Sequence, residues 1–197
     1  MTLGGIRGRV EAPVPPPTAA RPAVEALGQP ALPDAPDRRR SVVYLETAPQ
    51  HAFEETELPR LVLDQRNQTF VPWVLAVPVG ATVDFPNSDS TFHNVFSLSK
   101  ARRFDLGRYP RGAVRSVRFD RPGVVRVFCE IHAHMNAYVL VFSHRFFATT
   151  DENGRYRIAG VPPGDYRLVL WHDGREREAR PVQVTAGGMV EADFVVR

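Results

Sequence analysis

A close succession of short apolar runs, beginning near residue 60, constrains the fold of this chain more than any other feature. The runs are rich in β-branched and aromatic residues, and turn signals such as Pro-Val-Gly and Pro-Asn-Ser-Asp separate them. About eight runs follow one another within roughly 85 residues, a spacing typical of a β-sandwich. No segment has the periodicity of a helix longer than a turn or two. The sequence therefore predicts an all-β fold.

A second group of strand-like runs occupies the C-terminal end. Five runs follow residue 146, and Asp-Glu-Asn-Gly, Pro-Pro-Gly and Gly-Gly form turn signals among them. Five strands leave a sandwich incomplete, but the N-terminal runs at 6–10 and 41–46 raise the number to seven. We therefore expect a sandwich at 58–143, inserted into a second one formed by 1–57 and 144–197. The alternative is that the N-terminal runs extend the central sheet.

The remaining segments and the composition mainly argue against two classes of function, nucleic-acid binding and insertion into a membrane. A Pro- and Ala-rich segment at 13–36 and an acidic one at 54–57 are expected to be exposed connections. The net charge of +3 is too small to favour nucleic acid as a partner. The longest apolar stretch, 71–83, is interrupted by prolines and too short to span a membrane. The N-terminus has no basic segment followed by an apolar one, so the chain is either cytoplasmic or written without a removed leader.

Four side chains with metal-binding atoms have a spacing in the sequence that indicates a common metal site. The only cysteine, Cys129, begins a Cys-x-x-His-x-x-Met sequence that includes His132 and Met135 and lies between two strand-like runs. His93 lies upstream in another run. A thiolate, two imidazoles and a thioether suit copper that changes between two oxidation states, and ions that prefer oxygen would not select them. We expect a mononuclear copper site that transfers electrons, and no enzyme activity.

Other chemistries stay open from the residues alone. His134 is a candidate extra ligand, and together with His93, Cys129 and His132 it would give zinc four Cys/His ligands. A Cys-His hydrolase is conceivable, but its two residues would share a loop without an evident acidic partner. Three further histidines are expected to be surface or packing residues: His51, His144 and His172.

The loop around the cysteine and the pair His93-Asn94 resemble the copper-binding segments of the plastocyanin/azurin class of cupredoxins. The resemblance covers about residues 60–143, and the short loop is most similar to amicyanin. It implies a Greek-key sandwich with one type 1 (blue) copper ion, and it implies that Asn94 braces the cysteine sulfur and the first ligand strand. The presence of His134 departs from the amicyanin pattern. The implied ligands are His93 and His132 through ring nitrogens, Cys129 as the short equatorial ligand and Met135 as the long axial ligand.

A second resemblance concerns the C-terminal segment TDENGRYRIAGVPPGDYRLVLWH, which is similar to the carboxypeptidase regulatory-like (transthyretin-like) sandwich. The two modules together resemble bacterial proteins labelled plastocyanin-like or methylamine-utilisation proteins. This likeness implies a periplasmic or extracellular location and a redox partner protein, such as a cytochrome or an oxidoreductase.

Two surface features bear on that partner. Phe92, Ala133 and Ala137 are expected to form an apolar docking patch around His132. Nine basic residues either face solvent on strands or steer an acidic partner; they are Lys100, Arg102, Arg103, Arg108, Arg111, Arg115, Arg118, Arg121 and Arg126. The rival functions are copper storage or delivery, and a structural or surface-binding module in which the metal is incidental.

Overall fold

The computed structural model describes residues 2–13, 37–48, 58 and 60–196. These residues form eighteen strands and no helix, which confirms the predicted all-β fold. The described part of the chain thus contains no helix long and apolar enough to cross a membrane. The acidic segment, His51 and nearly all of the Pro- and Ala-rich segment lie outside the described residues.

Ten strands between residues 60 and 142 form the first sandwich, more than the sequence predicted. One sheet has the strand order β6-β12-β11-β8-β9, the other has the order β10-β7-β3, and β4 pairs with β5 in a short hairpin. The strands are β3 (Arg60–Val62), β4 (Asp64–Arg66), β5 (Thr69–Val71), β6 (Val74–Pro78), β7 (Thr82–Pro86), β8 (His93–Leu98), β9 (Arg103–Tyr109), β10 (Val114–Arg118), β11 (Gly123–Phe128) and β12 (Asn136–Phe142).

Alternation along these strands builds the core between the two sheets. In β11, Val125 and Val127 are buried, whereas Val124 and Arg126, which alternate with them, are exposed. Successive side chains of a strand point to opposite faces, so one row enters the core and the other faces solvent. Cys129 and Met135 belong to the same buried cluster as these valines. The candidate ligands therefore lie at one end of a packed core.

The second sandwich combines both ends of the chain. One sheet has the order β14-β1-β17, with β18 also paired to β1, and the other has the order β13-β2-β15-β16. Both N-terminal strands, β1 and β2, pair with C-terminal strands and with no strand of the first sandwich. The strands are β1 (Gly4–Glu11), β2 (Val42–Leu45), β13 (Phe147–Thr149), β14 (Arg155–Val161), β15 (Gly164–His172), β16 (Arg175–Val184), β17 (Met189–Glu191) and β18 (Phe194–Val195).

The C-terminal end of the chain forms two short strands, β17 and β18. Both pair in parallel with β1, and the backbone N–H of Ala192 between them donates to the carbonyl of Arg7 at 2.9 Å. The chain passes so close to Gly8 that a Cβ there would lie 2.0 Å from the Ala192 oxygen. A glycine is required at this crossing because any side chain would push the two backbones apart.

The two sandwiches pack sheet against sheet. Val42 of β2 and Trp171 of β15 meet Leu140 of β12 and Val74 of β6 in a separate buried cluster. Neighbouring residues of β12, such as Val139, point to the core of the first sandwich instead. Since β12 is buried on both faces, its sequence AYVLVF is almost continuously apolar. The domain limits at 57/58 and 143/144 stay a prediction, because residues 49–57 lie outside the described part.

Replacing Leu140 by Ala should destabilise the protein by about 2–5 kcal/mol, because the side chain is 3% exposed and its loss leaves a cavity between the sandwiches. The measurement is the free energy of unfolding from urea denaturation. Leu98→Ala is the matched control: Leu98 is 65% exposed, and its replacement should change stability by no more than about 0.5 kcal/mol. Equal losses in both variants would contradict the described interface.

Acid should weaken the fold through His172. Burial, partly opposed by Asp173 and reinforced by Arg177, lowers the pKa of His172, whose Nδ1 lies 2.8 Å from Ser41 Oγ. In the unfolded chain, His172 takes up a proton near the usual pKa of about 6.5, whereas in the folded protein it stays neutral to lower pH. The contribution of the neutral His172 to stability is therefore complete above that pH and is lost as the pH falls below it. The free energy of unfolding of the metal-free protein, measured between pH 8 and 5, should fall more steeply for the wild type than for His172→Gln. Parallel curves would rule out this contribution.

Candidate metal centre

His93 and the cysteine loop approach each other because their strands are neighbours. His93 begins β8, and Cys129 directly follows β11, which pairs with β8 through Phe96 and Phe128. His93 also lies opposite Tyr109 of β9, so its backbone position is fixed within the sheet. The pairing of strands therefore brings together residues that are 36 positions apart in the sequence.

The loop between β11 and β12 is short and internally bonded. The backbone N–H of Cys129 donates to the carbonyl of Met135 at 3.3 Å, and the N–H of Met135 donates to the carbonyl of His132 at 2.9 Å. These two bonds close the loop at its base and place Cys129 and Met135 in the core. His132 lies at the surface end of the site, where it is only half-buried.

Three of the four expected ligands meet in one group. His93, Cys129 and His132 each offer an atom, and these atoms lie within 4.8 Å of one another. Cys129 Sγ is 3.9 Å from His93 Nδ1 and 4.0 Å from His132 Nδ1, and the two Nδ1 atoms are 3.1 Å apart. The arrangement is a triangle of one sulfur and two nitrogens.

The dimensions of this triangle test which ion it fits. Metal bonds in such sites measure about 2.0 Å to nitrogen and about 2.3 Å to sulfur. With these bonds and the 3.1 Å between the two nitrogens, an ion in the plane of the three atoms requires sulfur–nitrogen separations of about 3.9 Å, whereas regular tetrahedral angles require about 3.5 Å. The separations of 3.9 and 4.0 Å match the planar case. The residues present fit a flat three-ligand site better than a tetrahedral one.

The surroundings of Cys129 favour its thiolate. Burial alone would raise the pKa of Cys129, but a hydrogen bond with His93 and the backbone N–H groups of Asn94, His132 and Ile131 together lower it. Burial also opposes a proton on His93, yet its hydrogen bonds to Cys129 and Asp89 raise the pKa of His93. Burial and the neighbouring histidines lower the pKa of His132. These surroundings favour the thiolate of Cys129 and the neutral imidazole of His132, the forms that bind a metal, whereas a metal would have to displace a more firmly held proton from His93.

Asn94 joins the two segments that carry the ligands. Its Oδ1 accepts a hydrogen bond from the backbone N–H of Glu130 at 3.3 Å, and its Nδ2 donates to Asp105 Oδ1 at 2.7 Å. The side chain is buried, and its backbone N–H faces the cysteine sulfur. These contacts link β8 to the residue after Cys129.

Met135 and His134 occupy different environments. Met135 is 1% exposed and packs in the same core as Cys129, on the inner side of the loop. His134 is exposed and lies outside the three-residue group, since its Nε2 is 3.1 Å from the backbone oxygen of Gln68. His144 and His172 are buried by packing in and beside the second sandwich. None of these three histidines belongs to the triangle, although the ring of His134 lies beside that of His132, with the two ring centroids 6.0 Å apart.

Asp89 is a residue that the sequence analysis missed. Its Oδ2 lies 2.6 Å from Nε2 of His93, the ring atom that faces away from the triangle. Asp89 precedes His93 by four positions, but it lies in a loop, so no helical spacing singled it out. A structure was needed to show this contact.

The surface at His132 is partly apolar. Phe92 is 57% exposed and Ile131 is 40% exposed, and Ala133 is exposed as well. The expected contribution of Ala137 to this surface is wrong, because Ala137 points into the core of the first sandwich and is fully buried. The exposed residue Ile131, which directly precedes His132, contributes to this surface instead.

Residues 133–197 match the model of the family described as carboxypeptidase regulatory-like domain. This confirms the second predicted resemblance. The match begins inside the cysteine loop and includes β12, although β12 is hydrogen-bonded within the first sandwich. Among curated proteins, none matches the chain.

Solved structures similar to the chain include cupredoxins, in agreement with the first predicted resemblance. A purple cupredoxin from Nitrosopumilus maritimus is 25% identical, with 42% of this chain and 98% of that protein covered and a TM-score of 0.37. A mutant amicyanin in the Cu(I) form is 21% identical, with coverage of 51% and 98% and a TM-score of 0.40. The copper-containing nitrite reductase (NirK) of Thermus scotoductus SA-01 is 22% identical, with coverage of 68% and 28% and a TM-score of 0.40. TM-scores this low carry no information about function.

Proposed function

We propose that the protein binds one copper ion in a type 1 site and carries single electrons between redox partners, without enzymatic activity of its own. The observation that supports this most is the triangle of Cys129 Sγ, His93 Nδ1 and His132 Nδ1, whose dimensions fit an ion bound by all three atoms. A trigonal His₂Cys set with a weak axial methionine is the arrangement that blue-copper electron carriers use. Met135, which is buried in the same core as Cys129, would supply the weak thioether ligand.

The chain's own residues would limit structural change at the site. A bound copper ion would supply the exchange of one electron between its two oxidation states. His93 and Cys129 are buried and anchored to paired strands, so they exclude water and keep their positions. Zinc prefers four tetrahedral ligands. His134, the fourth Cys/His candidate, binds the backbone at Gln68 instead.

His132 gives the site a connection to the surface. It is the least buried of the three ligands; the exposed Ile131 precedes it in the chain, and the exposed Phe92 precedes the neighbouring ligand His93. An apolar surface of this kind suits the small, transient contacts of redox encounters. We propose that electrons enter or leave through the His132 imidazole.

The partner and the location are parts of the same proposal. We propose a redox partner protein, such as a cytochrome or an oxidoreductase, that meets this protein in the periplasm or outside the cell. Of the nine basic residues between 100 and 126, all but Arg102 are exposed. Their positive charge supports an acidic docking surface on the partner. Two of them are already paired with carboxylates: Arg108 with Glu130 and Arg118 with Asp120.

The cysteine and His132 variants test the copper site. One equivalent of Cu(II) should give the full-length protein an intense visible thiolate-to-copper band with narrow copper hyperfine splitting in its EPR spectrum. Cys129→Ser should abolish the band, and His132→Ala should abolish it or greatly weaken it, because each removes one corner of the triangle. His134→Ala is the matched control and should keep the band. A pale wild-type spectrum, or a band that survives in Cys129→Ser, would overturn the proposed function.

The axial position predicts a separate effect. Met135→Leu should retain copper and the intense band, because the three equatorial ligands remain. Its reduction potential should rise, since removal of a weak donor destabilises the oxidised ion more than the reduced one. Cyclic voltammetry of both proteins under the same conditions measures this difference. An unchanged potential would show that Met135 is core filler rather than a ligand.

A further inference from the structure

The hydrogen-bonding environment of His93 extends well beyond the three ligands. Asp89 Oδ2 bonds His93 Nε2 at 2.6 Å, the imidazole is fully buried, and the carboxylate is 11% exposed. An ionised carboxylate accepts hydrogen bonds but cannot donate them. The contact therefore requires a proton on Nε2, whereas metal binding requires an unprotonated Nδ1, the atom that belongs to the triangle.

The carboxylate is itself anchored to another segment. Asp89 Oδ1 accepts from the backbone N–H of Asn67 at 2.5 Å, and Oδ2 accepts from the N–H of Gln68 at 2.8 Å. Asn67 and Gln68 form the turn between β4 and β5. Three N–H groups on two distant segments thus converge on one carboxylate, which leaves Asp89 little freedom to rotate.

The backbone of this turn is unusual. Asn67 has a φ of 52° and Gln68 has a φ of 53°, as in the two-residue hairpin turns that favour Asn and Gly. Asparagine tolerates the left-handed region, but glutamine gains no comparable advantage there. This conformation directs both N–H groups toward Asp89, so the interaction with Asp89 compensates an unfavourable backbone.

The same turn also contacts the cysteine loop. The backbone oxygen of Gln68 lies 3.1 Å from Nε2 of His134, two residues after the ligand His132. The β4–β5 turn is therefore connected on one side to the buried ligand, through Asp89, and on the other side to the loop that carries the remaining ligands.

We infer that Asp89 is a positioning residue of the metal centre, which fixes the ring of His93 by tying it to the β4–β5 turn. This inference rests on the proposed metal site and adds to it a carboxylate that does not touch the ion. Partners of this kind orient a ligating histidine and increase its basicity, and their loss typically costs about 10- to 100-fold in metal affinity. The negative charge of Asp89 also favours the more highly charged oxidised ion.

Asp89→Asn tests the inference in the full-length protein. Cu(II) affinity, measured by competition with a chelator of known strength, should fall about 10- to 100-fold. The reduction potential should rise, and the visible band should shift. Asp64→Asn is the matched control: Asp64 carries the same chemical change close by, but its carboxylate accepts from Ser88 and not from His93. The control should keep wild-type affinity, potential and band position.

A measurement on the wild type keeps the inference testable if Asp89→Asn folds poorly. Nitrogen chemical shifts of the His93 ring in the metal-free protein, at mildly alkaline pH, should show the proton on Nε2. A proton on Nδ1 instead, or equal Cu(II) affinity in Asp89→Asn, Asp64→Asn and the wild type, would overturn the positioning role. A pale copper spectrum with a loss of affinity confined to Asp89→Asn would overturn the electron-transfer proposal and leave the positioning role supported.

Discussion

The burial of β12 on both faces is the constraint on which the rest of the structure depends. One row of its side chains fills the core of the first sandwich, and the other row, which includes Leu140, packs against β2 and β15. A one-residue shift in the register of such a strand would exchange its two rows, so that each row would meet the packing that fits the other. The cysteine loop leads directly into this strand, so its base is anchored in a layer that is covered on both faces.

The all-β class could be predicted because its signal is local. Alternating and apolar runs separated by turn residues identify strands without any tertiary information, as in β11 and β14. Strand counts were less accurate where elements have only three residues, as in β3, β4 and β5, because no periodicity develops over that length. The continuous apolar run of β12 predicted a strand, but which layer would cover its second face depends on packing and is not written in local sequence.

The residues of the candidate site likewise include some that the sequence could identify and some that it could not. His93, Cys129 and His132 could be singled out because their chemical types and spacing are unusual in combination, and the structure brings them together. Asp89 could not be, because an aspartate in a loop is common and its value here comes from a distant turn. The positive φ of Gln68 has no sequence signal either, since glutamine has no preference for that conformation.

The two histidines of the triangle are held in contrasting ways, and this contrast has a physical meaning. His93 is fully buried, paired in a sheet and bonded at its second nitrogen to an anchored carboxylate. His132 is half-buried, and its loop reaches the surface between exposed apolar side chains. A site in which one imidazole is fixed can keep its geometry while the other remains accessible to a partner. If both were exposed, water would enter and the ligands would rearrange on each change of charge, whereas if both were buried, no contact with a partner would reach the ion.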